Sequence, residues 1–400
     1  MIKEDDAARI VAGLTVLLLP VMGVFTIIPL AVIHYLFAPT RTLSISLALL
    51  LLLRYSLGFT GLDLPMYVVA IAFVIPTLAQ MASRRFDGLN GSMIYITTTI
   101  ALGYPVAIMT SPELLPEKVL LLSMLGGLSG AFLHHVSRER DFIVPFGTCM
   151  VMWLFSFDYP LPELGRIVLL YSFALALGLG AYWARAADVD AVISEVIICI
   201  LVVLYAGLSW FLLLLCFYLM GGLFTHYKFA RKRELGIAQS RGGVRGYKNV
   251  YSNSLVPLAL AICYGIYGSE LFVFAFLGSV ATANGDTLAS EIGQTSKSGP
   301  RMITTLKPVV PGVDGGVTYL GEGAAVLGSL AIGLLALATG ITGLIGVPVS
   351  LLGGFLGTNF DSLLGATLQQ RGILSNNGVN LLATLFGGVV GGLIWVALWR

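Results

Sequence analysis

The chain has 400 residues, 57% hydrophobic and only 11% charged, with a mean hydropathy of +0.91. Repeated apolar runs of roughly 18 residues or more exclude a soluble protein and specify an all-α, polytopic transmembrane helical bundle. The net charge of +2 is gathered in short loops, which orients a membrane protein and gives no footing for nucleic-acid binding.

In chain order, apolar periods predict spans at Ile10–Phe37, Leu43–Thr60, Leu64–Met81, Met93–Met109, Val119–Val136, Phe142–Phe157 and Ile167–Trp183. The acidic N-terminus runs into the first of these without a cleavage signature, so that span is read as retained. Pro20 or Pro29 is expected to bend it. Arg84 and Arg85 mark a cytoplasmic end. His134 and His135 are adjacent and project about 100° apart on a helix, which disfavours one shared metal. The four cysteines lie singly in apolar runs and read as packing residues. Ile193–Phe224 is too long for one straight crossing and is expected to tilt or to break near Gly207.

The composition then changes. Between Lys228 and Lys248 the chain carries Lys228, Arg231, Lys232, Arg233, Arg241, Arg245 and Lys248 against the single acid Glu234. The Arg231–Arg233 run reads as orientation alone. Leu255–Thr282 begins and ends beside basic loops, so an even number of crossings is required; a helical hairpin with short or re-entrant arms is expected. Tyr319–Ala338 and Leu344–Thr358 form another out-and-back pair, and a last span starts at Asn376. The expected total is about 11 or 12 spans. They divide into an N-terminal helical region, residues 1–225, without an assignable role, and a catalytic core, residues 226–400, whose polar loops converge on the cytoplasmic face.

Ionisable groups at a membrane edge are costly to place and so mark candidate function. Asp286 and Asp361 are the favoured metal-binding carboxylates, each expected after a turn at the mouth of an apolar helix. Magnesium takes one or two protein acids plus substrate phosphate, which two acids from different hairpins can supply. Lys297, Arg301 and Lys307 lie in a linker expected to be flexible; Arg301 and Lys307 suit gripping a polyphosphate there, and Lys307 is assigned a catalytic part. Gly312, Gly315 and Gly316 around Asp314 are expected to turn backbone N–H groups toward phosphate. Glycine pairs at Gly353-Gly354 and Gly387-Gly388 read as helix packing. No Walker A, GxGxxG, HExxH or GxSxG pattern occurs.

Four motifs together, RGYKNVYSNS (245–254), NGDTLASEIG (284–293), LKPVVPGVDGGVTYLGEGAA (306–325) and NFDSLLGATLQ (359–369), resemble the transmembrane-protein-19 family, which includes plant phytyl-phosphate kinases. More distantly they are similar to dolichol and phytol kinases and CDP-diacylglycerol synthases. The resemblance covers roughly residues 228–400. It implies a magnesium-requiring, nucleotide-dependent kinase of the membrane that phosphorylates an isoprenyl monophosphate, with CTP favoured. Cytidylyl transfer to a CDP-lipid is the alternative, and a lipid-phosphate transporter the reading from another class. Carried onto this chain, the nucleotide-binding residues are Arg245, Lys248, Asn253, Asn284, Thr287, Glu291, Lys297, Arg301, Asp314, Gly315, Gly316 and Ser362. The expected partners are the isoprenoid lipid phosphate, the nucleotide and the lipid bilayer, with a homodimer left open. The expected location is the cell membrane, multi-pass.

Overall fold

The computed structural model describes residues 4–157, 159–237 and 240–398. The chain forms two compact units, Met1–Phe173 and Ala174–Arg400, built almost wholly of α-helix. Among the described residues, twelve helices are long and apolar enough to cross a membrane, within the range expected from the sequence. The polytopic all-α architecture is therefore as the hydropathy predicts.

The first unit contains α1 (Glu4–Leu14), α2 (Leu19–Met22), α3 (Ile27–Leu36), α4 (Arg41–Gly58), α5 (Met66–Val74), α6 (Gln80–Ser83), α7 (Gly88–Thr110), α8 (Pro116–Val136) and α9 (Arg140–Leu154). Two 3₁₀ turns flank α2 and its Pro20, which lacks the N–H that a continuous helix needs. A π-helical turn at Ile75–Ala79, holding Pro76, joins α5 to α6. Helix α7 packs on α5 and α8, and α8 on α9.

Helix α10 (Leu164–Trp183) runs across the division between the units. The second unit continues with α11 (Val189–Ala206), α12 (Leu208–Thr225), α13 (Phe229–Glu234), α14 (Tyr247–Tyr267), α15 (Glu270–Gly293), α16 (Tyr319–Ala338), α17 (Gly346–Leu364) and α18 (Asn376–Leu398). The long run after Ile193 breaks at Gly207, whose φ of +94° a side chain would resist.

Helices α14 and α15 form the expected hairpin, but its arms are full-length helices of 21 and 24 residues rather than short or re-entrant segments. Gly268 ends α14 in the left-handed conformation, and Ser269 caps α15 by accepting a hydrogen bond from the Leu271 N–H at 3.3 Å. The arms lengthen because polar runs that read as loops, YKNVYSN and TANGDTLASEIG, are wound into the helices.

Helix α15 is the centre of this unit. Its membrane-length window is 78% buried, the highest of the twelve, and it touches α12, α14, α16, α17 and α18. Small residues permit that crowding. A Cβ on Gly353 would lie 2.8 Å from the Gly278 Cα, and one on Gly387 would collide with the Thr282 hydroxyl. The glycine pairs of α17 and α18 thus pack helices, as expected.

Candidate active site

Asp286 projects from α15 two turns before the helix ends, not from a helix mouth as expected. The apparent turn Asn284-Gly285-Asp286 is helical because its contacts with α16 and α17 hold it so. The Asn284 amide donates to the Gly328 carbonyl at 2.8 Å, and Gly285 lets α16 and α17 close in. A Cβ on Gly285 would sit 2.8 Å from Ser329 Oγ and 3.0 Å from Thr358 Oγ1. That contact joins the residue before Asp286 to the residue three before Asp361, which brings the two acids to one place.

Asp361 lies in the last turn of α17, so neither acid gains from a helix N-terminus. Its Oδ2 is buried with no hydrogen-bond partner, as is Thr358 Oγ1 one turn earlier. Buried polar atoms without partners are uncommon and invite a ligand. Asp286, Asp361 and Asp314 all line one cavity of about 340 Å³, and both other acids are within electrostatic reach of Asp361.

Asp314 comes from the segment between α15 and α16. It is not a flexible linker: β1 (Arg301–Met302) pairs antiparallel with β2 (Gly316–Val317), Ile303 N–H donates to the Gly315 carbonyl at 3.0 Å, and Met302 N–H to the Lys307 carbonyl at 2.9 Å. The Gln370 amide donates to the Asp314 carbonyl at 2.8 Å, tying this hairpin to the end of α17. The Asp314 side chain is exposed at the rim, yet neighbouring atoms desolvate it enough to raise its carboxyl above the ordinary aspartate range. Gly315, at φ +79°, lies against Ala366, where a Cβ has no room. The Gly316 N–H donates to the Val313 carbonyl at 3.0 Å, so that amide is already engaged within the turn.

Among the described residues, one guanidinium reaches the cavity. Arg245 is fixed by its backbone, which exchanges hydrogen bonds with Ala186 and Asp188 at 2.9 and 3.0 Å. Its side chain lies over the Phe217 ring, 5.2 Å from the centroid, and one of its terminal nitrogens, Nη1, is buried without a partner. Burial lowers its pKa from the ordinary arginine value, while Glu195, Tyr218 and Glu291 favour the charge. Gly221 on α12 provides the space, since a Cβ there would collide with the guanidinium.

Of the residues expected in the site, Asp286, Asp361, Arg245, Thr287, Glu291, Asp314, Gly315, Gly316 and Ser362 line the cavity. Lys307, Lys297, Lys248, Arg301, Asn253 and Asn284 do not. Lys307, Lys297 and Lys248 are exposed away from the lining, and the Arg301 guanidinium donates to the Leu306 carbonyl of its own hairpin at 2.9 Å. Asn253 is buried, donating to the Asn249 carbonyl at 3.0 Å, and Asn284 is occupied by α16.

Glu291 faces the cavity wall but is engaged by a buried ion pair with Lys232, whose ammonium also donates to the Phe224 and Thr225 carbonyls at 3.1 and 3.2 Å. Lys232 was hidden in a basic run that reads as orientation alone. Thr358, Asn376 and Asn380 also line the cavity. Only their polarity beside apolar helix faces marks them in the sequence.

Residues 172–388 match the family profile of the integral membrane protein DUF92. The chain belongs to that family. An uncharacterized membrane protein of Methanocaldococcus jannaschii is 35% identical over 216 residues, 54% of this chain and 88% of that protein. Protein PGR of Arabidopsis thaliana is 32% identical over 228 residues, 45% of this chain and 79% of its own length. The chloroplastic protein VTE6 of the same plant is 29% identical over 192 residues, 46% of this chain and 58% of that protein. The DUF92 match contains the whole carboxylate cavity and all four motifs that carried the family resemblance. No solved structure matches the chain.

Proposed function

We propose that this DUF92 protein is a membrane-embedded kinase that moves the terminal phosphoryl group of a nucleoside triphosphate, CTP favoured, onto an isoprenyl monophosphate. The observation that carries the reading is the convergence of Asp286, Asp361, Asp314 and the Arg245 guanidinium on one cavity. Such a set handles phosphate charge. It contains no histidine, and this reaction needs no strong base because the acceptor phosphate is already an anion.

The donor set suits magnesium: hard carboxylate oxygens, one of them buried and unpartnered. Among the described residues no group of three or more His, Cys, Asp or Glu side chains forms a metal cage, so phosphate oxygens and water would complete the shell. Asp286 and Asp361 would hold the ion, which when bound neutralises phosphate charge. Arg245 offers a fixed positive charge for phosphate oxygens, and its rigid backbone anchor limits the reorganisation needed. An acceptor phosphate oxygen attacks the terminal phosphorus, a new P–O bond forms, the bond to the nucleoside diphosphate breaks, and its electron pair leaves with that product.

The test incubates purified protein with magnesium, labelled CTP or ATP and isoprenyl phosphates of different lengths, followed by identification of the lipid. A lipid diphosphate with released nucleoside diphosphate is expected. A CDP-lipid with pyrophosphate would replace the kinase reading with cytidylyl transfer, and an unaltered lipid would refute both.

A further inference from the structure

The N-terminal unit contains a polar cavity of its own, about 430 Å³, formed entirely by residues between Asp5 and Arg140. It opens where the ends of α1, α6, α7, α8 and α9 meet. Tyr95 of α7 lines it, is only 2% exposed, and has a buried hydroxyl with no hydrogen-bond partner. Beside it, at 5.7 Å between ring centroids, lies His134, whose Nδ1 is also buried and unpartnered. Ser92 and His135 form the adjoining wall, their Oγ and Nε2 3.2 Å apart.

The acids around this cavity are largely neutralised from within. Asp5 is held by Arg9 at 3.2 Å and Arg84 at 3.1 Å, and Arg9 grips Asp141 through two bonds of 2.8 and 2.9 Å. Asp87 and Arg140 also line the cavity, one charge of each sign. Helix α7 starts at the cavity, and its N-cap Asp87 makes no side-chain cap bond, which leaves first-turn amides available. Tyr95 with its unpaired hydroxyl, His134 with an Nδ1 that donates in the Nδ1–H tautomer, and the positive end of a 23-residue helix therefore line the same cavity. What they lack is an acceptor.

We infer that this cavity is a binding site for a tetrahedral oxyanion of the phosphate class, taken either as a free ion or as the headgroup of an anionic lipid. The buried Tyr95 hydroxyl selects for such a ligand because leaving it unpaired is costly. Phe86, 49% exposed at the lining, gives the site an apolar lip.

The full-length protein in phosphatidylcholine nanodiscs is titrated with inorganic phosphate, and a parallel sample carries phosphatidic acid, with bound equivalents counted by native mass spectrometry. Tyr95→Phe and His134→Gln are each expected to weaken one binding equivalent about tenfold, the loss of a hydrogen bond to a charged group. Loss in the phosphate arm assigns a free ion, and loss in the phosphatidic acid arm a lipid headgroup. Tyr95→Phe should leave the ligand-free melting temperature unchanged or higher, because it removes an unsatisfied hydroxyl and keeps the ring. Binding by both variants that matches the wild type, or a Tyr95→Phe variant that only melts lower, overturns the site.

Discussion

Replacing Lys232 by Met tests whether the wall of the carboxylate cavity rests on a buried charge pair. The side chains of Lys232 and Glu291 are 2% and 4% exposed, so neither charge is screened by bulk water. The substitution removes the ammonium from Glu291 and its bonds to the Phe224 and Thr225 carbonyls, leaving the Thr225 hydroxyl, 3.3 Å away, against the carboxylate. Breaking one side of a buried pair costs about 3–5 kcal/mol; Arg245, close enough to interact with Glu291, favours the lower end. Lys232→Met with Glu291→Leu removes both charges and should recover most of that loss. Denaturant unfolding in a fixed detergent, read as a double-mutant cycle, gives the coupling directly. A coupling below about 1 kcal/mol, the range of exposed pairs, would refute the argument.

Gly221→Ala should push the Arg245 guanidinium from its place over Phe217 and weaken nucleotide binding about as much as Arg245→Gln, measured by equilibrium dialysis with labelled CTP; unaltered affinity in both would remove Arg245 from the site. Gly285→Ala forces a methyl against Ser329, Thr358 and the Ala325 carbonyl, so we expect about 1–3 kcal/mol of destabilisation together with lost turnover, and a wild-type melting curve would contradict the packing. Lys307→Ala, at an exposed position outside the lining, should change nucleotide affinity by less than about twofold, whereas a tenfold loss, about 1.4 kcal/mol, would put Lys307 on the ligand.

Hydropathy and charge made the helices legible, because a span must bury its backbone and advertise its ends. The break at Gly207 followed from the length of the apolar run around it and from residue type. The failures have a common cause in contacts distant along the chain. Asn284-Gly285-Asp286 has the local chemistry of a turn, yet the Gly328 carbonyl and the close approach of α16 and α17 hold it helical. The 294–318 segment reads as a loose linker because its strand pairing joins residues about 15 positions apart without any periodicity to announce it. Lys232 differs from Arg231 and Arg233 only in the direction its helix turns it. The carboxylates were legible as outliers in an apolar chain, while the residues that seat them, Thr358, Gly285 and Gly221, look like ordinary small helix residues.

The central claim is that Asp286 and Asp361 act together on a magnesium-bound nucleotide. Calorimetric titration of CTP into wild-type protein, Asp286→Asn and Asp361→Asn, with and without magnesium, addresses it most directly. The account predicts saturable, magnesium-dependent binding that either substitution weakens at least about tenfold, with each variant melting no lower than wild type because a crowded negative charge has been removed. Equal affinities in all three proteins, or binding indifferent to magnesium, would contradict it.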